Sequence, residues 1–402
     1  MAAEHKPLVP ARSYRRWVAE TSDVLIIGAG VHGASAAYHL AARGASVRVL
    51  EKGYAAGGPT GRSSAVVRAY YTNGFLARVA RDAIAVFESF DEQIGGDAGF
   101  RRTGALWMHG AGDVEDVHRT ATALNELGIA CDVMTHDDVV ATHPRLVAND
   151  IAIAVWEHGA GYADPVGTTA GLLERAVALG ARYTRGAAVV KIAETADRVR
   201  VVTEAGDAYE GDRLLIAAGP WTKPLAAQVG ADLPLTVERH IVATFAFADA
   251  PRLPYVLSDT IQGYYFKPEG ETQFLVGPLH EEPPADADAF DEDITETESL
   301  GLASRLVRRV PDLVDAAPRG GWASLYDVSP DWQPVIGAIG ERTFVDAGTS
   351  GHGFKLAPAL GAHVAGLVLG DEPDAGLRAF SPERFSAGSL LAAGFGGNKI
   401  LG

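Results

Sequence analysis

Cysteine is nearly absent: 402 residues carry one, Cys131. A lone thiol excludes an internal disulfide and a thiolate metal cluster, and it points to a reducing compartment, so a cytoplasmic location is expected. Positive charge is also scarce, with 35 Lys and Arg against 51 Asp and Glu, a formal net charge of −16. No basic stripe offsets it, which argues against nucleic acid or an anionic membrane surface as a partner. Long apolar runs are missing, and the first ~20 residues lack the apolar core of a secretory signal. Arg15-Arg16 is followed by a glycine-rich strand rather than an export segment. Metal ligands do not cluster: His352 and His363 have no carboxylate or cysteine set beside them. The acidic stretch 281–293 (EEPPADADAFDED) lacks the Asp-x-Asp-x-Asp-Gly order of a calcium loop and reads as a solvated loop. No metal is expected.

What the chain does have is concentrated in residues 24–51, VLIIGAGVHGASAAYHLAARGASVRVLE. An apolar strand meets Gly28-x-Gly30-x-x-Gly33, an Ala-rich helix follows, Gly44 stops it, and a second strand ends in Glu51. This is a dinucleotide-binding βαβ pattern. Gly28 permits the tight turn, Gly30 lets backbone approach a pyrophosphate, and Gly33 lets the helix lie close on the strand, with the helix N-terminus facing phosphate. Glu51 is placed to bond ribose hydroxyls; an acid there argues against a 2′-phosphate and leaves FAD or NAD.

Helical spacing recurs over 75–94 (Leu76, Val79, Ala83, Phe87, Phe90) and 114–127 (Val117, Ala121, Leu124), predicting core-facing helices. Asp164-Pro165 reads as an N-cap and first helical residue, opening a helix that ends at Gly180. Alternating strands around Val189, Ile192 and Val199–Val202 suggest a hairpin crossing over the dinucleotide sheet, and Leu214–Ile216 a buried strand ending in Ala218-Gly219-Pro220-Trp221. Residues 235–280 are strand-rich and suited to wall a pocket, and Thr295 with Glu298 forms a capping-box pattern for a further helix. Near the end, Phe344-Val345-Asp346-Ala347 runs into Gly348-Thr349-Ser350-Gly351-His352-Gly353-Phe354-Lys355 and then a helix through Leu360 and Val364. Such a turn aims backbone N–H groups and the positive end of a helix dipole at whatever lies above it.

These motifs, with Ser329-Pro330-Asp331-Trp332-Gln333-Pro334 between them, resemble in content and order the D-amino-acid oxidase family, and within it the sarcosine oxidase and glycine oxidase branch. The likeness spans about residues 22–385. It implies an α/β protein in which a Rossmann-like FAD-binding domain is interleaved with an α+β substrate domain on a large mixed sheet. The expected division is an arm at 1–21, an FAD domain at 22–80, 155–234 and 325–385, a substrate domain at 81–154 and 235–324, and a tail at 386–402. By the same resemblance FAD is contacted by Gly28, Gly30, Val31, His32, Gly33, Glu51 and Lys52, then by Arg62, Ser63 and Ser64. Val189 would meet the adenine, and Ala218, Gly219 and Trp221 supply a second contact. Tyr326 would lie by the ring edge, with Gly351, His352, Gly353, Phe354 and Lys355 at the helix start. Arg68 and Lys355 would clasp a substrate carboxylate, while Tyr265 and His280 would form an aromatic wall and a polar group over the ring.

The implied activity is oxidation of the C–N bond of an amino acid or N-substituted amino acid, with hydride passing to the flavin, the imine hydrolysing, and O2 becoming H2O2. The chain, a monomer or homo-oligomer by expectation, departs from its relatives in two places. Where some of them tie flavin through cysteine this sequence has Ser324, and no histidine lies between Gly57 and Arg68, so FAD should be noncovalent. Where some relatives carry a lysine that assists oxygen reduction stands Leu275, which keeps open a dehydrogenase passing electrons to a carrier protein or quinone. A flavin hydroxylase is a further alternative, disfavoured because the loop reads Gly348-Thr349-Ser350-Gly351 where those chains usually carry a Gly-Asp pair, and a non-catalytic flavin-binding subunit is another, against which a carboxylate clamp argues.

Overall fold

Strand β1 (Glu20–Ile27), helix α1 (Val31–Ala42) and strand β2 (Val47–Glu51) form the expected βαβ unit. The computed structural model describes residues 20–247 and 253–392. Most of the expected N-terminal arm and C-terminal tail lies outside those residues, and positions 20 and 21 already belong to β1. The parallel sheet runs from Arg182–Arg185 through β2 and β1 to Ala208–Ile216 and then Thr343–Ala347. The strands Val189–Glu194 and Val199–Thr203 pair antiparallel and attach to the first half of Ala208–Ile216, as the hairpin reading anticipates. Its interior strands are buried on both faces, which is why Leu25, Ile26, Val49, Leu214 and Leu215 read as continuous apolar runs.

Two glycines in the first turn are fixed by collisions a side chain would cause. Gly28 has φ +105° and a Cβ there would stand 2.3 Å from the Ala217 carbonyl oxygen, while a Cβ on Gly33 would stand 2.0 Å from the Gly28 carbonyl oxygen.

The second sheet has eight strands. Its order is Ala317–Val328, Thr236–Ala246, Gln273–Pro278, Tyr264–Glu269, Val256–Asp259, Ala105–His109, Ile153–Glu157, Cys131–Thr135. Alternation divides its faces. Tyr264, Phe266 and Phe274 pack on one side against Leu302 and Leu306 of the helix Glu296–Arg309, and Tyr265 points to the other side. The capping box of that helix forms as the sequence predicts, as does the Asp164 N-cap of Pro165–Ala178.

Two expected domain limits need correction. The cuts at 154/155 and 324/325 fall inside the strands Ile153–Glu157 and Ala317–Val328, each hydrogen-bonded along its length in the second sheet. Domain limits fall in connecting segments with few cross-contacts, and these two positions are paired within a sheet. The Ser329–Pro334 motif is likewise structural. Asp331 accepts from Arg384 Nε at 2.8 Å and Nη2 at 2.9 Å, a buried pair that fastens the short helix Glu383–Ser386 to the segment leading into the first sheet. Among the described residues no helix is long and apolar enough to cross a membrane, and no group of three His, Cys, Asp or Glu could hold a metal.

Candidate active site

Between the sheets lies a cavity of ≈ 560 Å³. That is within the range of cofactor sites. One end is bounded by Leu50, Glu51 and Val189, the middle by Gly28, Gly30 and the start of α1, and the far end by Tyr265, Tyr326 and Lys355. Two helix N-termini open on it, α1 and Gly353–Leu369. Neither has an acid in its first turn nor a capping side chain from its N-cap residue, the condition for receiving an anion. Thr60 Oγ1 accepts from Val31 N–H at 3.2 Å, and the Glu51 carboxylate accepts from Ala29 N–H at 2.8 Å and Gly53 N–H at 2.7 Å. Glycine makes the far end possible as well: a Cβ on Gly351 would fall 2.3 Å from the Tyr326 ring. The shape and the open amides fit an extended dinucleotide.

Of the expected cofactor residues, Val31, His32, Lys52, Arg62, Ser63, Ser64, Ala218, Gly219, Trp221, Gly353 and Phe354 also line this cavity. Gly33 does not, since it serves the helix-to-strand approach, and neither does His352, which is buried behind the wall. His32 turns its Nδ1 to Asp346 at 2.9 Å; burial works against its proton, but the carboxylate prevails and raises its pKa.

A second, smaller chamber of ≈ 70 Å³ adjoins the first, sharing Ser64, Tyr265, Tyr326, Gly351 and Lys355 as wall. Arg68 stands in it. Its guanidinium lies 4.2 Å from the centre of the Tyr71 ring and 5.3 Å from that of Trp107, and it donates to the Tyr70 carbonyl. Nη2 is 3.4 Å from His352 Nδ1. Lys355 is 7% exposed, and its Nζ donates to the His352 carbonyl at 3.4 Å. Burial, reinforced by Arg68, drives the Lys355 pKa well below its ordinary value, and burial with both cations does the same to His352. The countercharge is Glu157, fully buried, accepting from Ala69 N–H at 2.5 Å and Trp107 Nε1 at 3.1 Å. Burial pushes its pKa up to about 7 against those hydrogen bonds and Arg68.

His280 is the expected residue that the fold does not bring to the site. Its side chain is 45% exposed and pairs with Glu282 at 3.2 Å. The strand Gln273–Pro278 ends before it: Pro278 and Leu279 line the chamber, and His280, two residues past the strand, turns out to solvent. Trp107, Ser258 and Glu157 carry no motif and are not legible in the sequence, because they arrive through long-range strand pairing.

The acidic stretch 281–293 is less free than a solvated loop. Asp288 accepts from Trp221 Nε1 at 2.7 Å and from Lys52 Nζ at 3.4 Å, Glu292 pairs with Arg62 at 2.6 Å, and Lys52 lies 3.3 Å above the Trp221 ring. These contacts strap the loop to residues that line the cofactor cavity. Removing both carboxylates (Asp288→Ala with Glu292→Ala) should speed release of bound flavin by roughly 3- to 10-fold, since such partly exposed pairs are individually weak. Stopped-flow recovery of flavin fluorescence on dilution measures this; an unchanged release rate would mean that the loop restrains nothing.

A two-domain frame with paired helix N-termini on one cavity is the arrangement of a flavin-dependent oxidoreductase. The chain belongs to the DAO family, FAD dependent oxidoreductase, whose match covers residues 23–367. It is 27% identical over 382 residues to the 4-methylaminobutanoate oxidase (formaldehyde-forming) of Paenarthrobacter nicotinovorans, covering 90% of this chain and 45% of that protein. The chain thus spans about half of that relative's length, but 97% of the glycine oxidase of Geobacillus kaustophilus, to which it is 26% identical over 377 residues, 90% of this chain. In fold it is similar to L-proline dehydrogenase from P. horikoshii, with a TM-score of 0.83 at 24% identity, covering 93% of this chain and 100% of the other.

Proposed function

We propose that this chain oxidises the C–N bond of a small amino acid or N-substituted amino acid, with FAD held noncovalently in the large cavity and O2 as electron acceptor. The observation that carries this reading is the pair of buried basic side chains, Arg68 and Lys355, on the wall of a small chamber that adjoins the proposed flavin cavity. An arginine fork binds a carboxylate bidentately and a lysine adds a point charge where water is excluded. Bound FAD supplies a two-electron acceptor for the hydride leaving the carbon next to nitrogen. The protein's share is orientation: Arg68 and Lys355 fix the carboxylate, Tyr265 and Trp107 exclude water, and the C–H is thereby aimed toward the larger cavity. Noncovalent binding is supported by Ser324 on the cavity wall, while Cys131 is buried in the outermost strand of the second sheet.

A dehydrogenase is the second reading, favoured by Leu275. Its cross-strand partner Lys267 is turned away, paired with Glu269 and resting 4.5 Å above the Tyr162 ring, so it does not line the cavity. Reducing the yellow protein anaerobically with an amino acid and then admitting air separates the two. Fast recovery of absorbance with peroxide supports the oxidase; slow recovery that a quinone accelerates supports the dehydrogenase.

The buried lysine has a consequence for pH. Burial lowers the Lys355 pKa and a carboxylate entering beside it raises that pKa again, so at pH values between the two, binding takes up a proton and affinity falls as pH rises, by up to about tenfold per unit. Calorimetry in buffers of different ionisation enthalpy should show that uptake, and Lys355→Met should abolish it. Absence of proton uptake at every pH across the neutral and alkaline range would contradict a carboxylate bound beside Lys355.

A further inference from the structure

The floor of the small chamber is one row across the second sheet. Strand register sets Trp107 beside Ser258, Ser258 beside Tyr265, and Tyr265 beside Gly277. Trp107, Ser258 and Tyr265 all line the chamber, so two rings flank a single hydroxyl. Ser258 is 1% exposed, and its Oγ has no hydrogen-bond partner in the protein. A buried hydroxyl without a partner is costly, and native structures leave few of them unless something else supplies the bond. Val256 and Leu279 in the same chamber are apolar, and none of the chamber's polar side chains, Arg68, Tyr265 and Lys355 among them, is bonded to it. The carboxylate-binding charge comes from different segments: Arg68 follows the short strand Val66–Val67, and Lys355 stands in the first turn of Gly353–Leu369.

We propose that Ser258 is a specificity-determining residue: its hydroxyl hydrogen-bonds a polar atom of the substrate other than the carboxylate, so the chamber selects small amino acids that place a hydrogen-bonding group there over those that place hydrocarbon there. The inference rests on the reading of Arg68 and Lys355 as a carboxylate clamp and adds the second anchor. Discrimination arises because a hydrocarbon group leaves the hydroxyl unpaired, the circumstance in which binding sites reject isosteres most strongly.

Two pairs of small acids test it with the FAD-loaded protein, dissociation constants being read from perturbation of the bound-flavin spectrum. Glycolate and propionate differ by a hydroxyl for a methyl in the place of the amine; 3-hydroxypropionate and butyrate differ by the same exchange one carbon further out. The unmodified protein should bind the hydroxy acid of one pair about tenfold more tightly than its apolar match, and Ser258→Ala should erase that preference without weakening the apolar acid. Preference in the first pair assigns the contact to the atom in the amine's place, and in the second to the side chain. Equal binding within both pairs, or a preference that survives in Ser258→Ala, overturns the proposal. Ser258→Cys, a weaker hydrogen-bonding group of similar size, should fall between them, and flavin content and Tm report whether either variant is misfolded. Failure of all four acids to bind the unmodified protein would instead remove the carboxylate clamp, and Ser258 with it; loss of all four in Arg68→Ala supports the clamp independently.

Discussion

Arg68→Ala should raise KM for the substrate by roughly two to three orders of magnitude, the effect of removing one partner from a desolvated, hydrogen-bonded charge pair. The large effect follows from burial. Arg68 is 5% exposed and held between the Tyr71 and Trp107 rings, so no water replaces the lost contacts. The bound-flavin spectrum should be unchanged, because Arg68 lines the small chamber and not the large cavity. Truncation also removes the cation whose charge holds down the Glu157 pKa, so some loss of stability is expected beside the kinetic effect. Arg68→Lys keeps the charge and loses the fork; it should recover the stability and only part of the affinity. Steady-state kinetics with Tm for both variants checks this. An unchanged KM in Arg68→Ala would remove the residue from the site.

Gly33→Ala should yield protein largely free of flavin. A Cβ at this position meets the Gly28 carbonyl oxygen at 2.0 Å and its carbonyl carbon at 3.0 Å, and both atoms are backbone. Either α1 lifts from β1 or the Gly28 turn shifts, and both displace the helix N-terminus from the cavity. Overpacking of this kind costs about 1–3 kcal/mol of stability. The ratio of flavin absorbance to protein absorbance after purification, with Tm, measures the two effects. Full flavin content in Gly33→Ala would show that the close approach does not govern the cofactor site.

The cofactor half of the site was legible because its requirements are local. A turn with positive φ, a helix start without acids and a strand-terminal carboxylate each leave a mark within thirty residues, as Gly28, Gly30 and Glu51 do. The same holds for the caps at Asp164 and Thr295, which need only three or four neighbours. The substrate half was legible only through resemblance. Arg68, Lys355 and Tyr265 are brought to one chamber, but Trp107, Ser258 and Glu157 are ordinary residue types until pairing between strands about 50 and about 150 residues apart makes them neighbours. His280 shows how an expected ligand becomes a surface side chain when its strand ends two residues earlier. The strands Ile153–Glu157 and Ala317–Val328 show why domain limits read from motif positions drift: pairing, and not composition, decides to which sheet a segment belongs.

The proposed chemistry requires an amino acid to be oxidised while Arg68 and Lys355 hold its carboxylate. The most direct measurement is anaerobic mixing of the yellow protein with small amino acids and N-alkyl amino acids, each beside the corresponding amine that lacks the carboxylate, following flavin absorbance near ~450 nm. Bleaching by at least one amino acid, with its decarboxylated counterpart at least ~100-fold slower at equal concentration, is the predicted result. Bleaching by the amine as readily as by the amino acid, or by no member of either series, would contradict it.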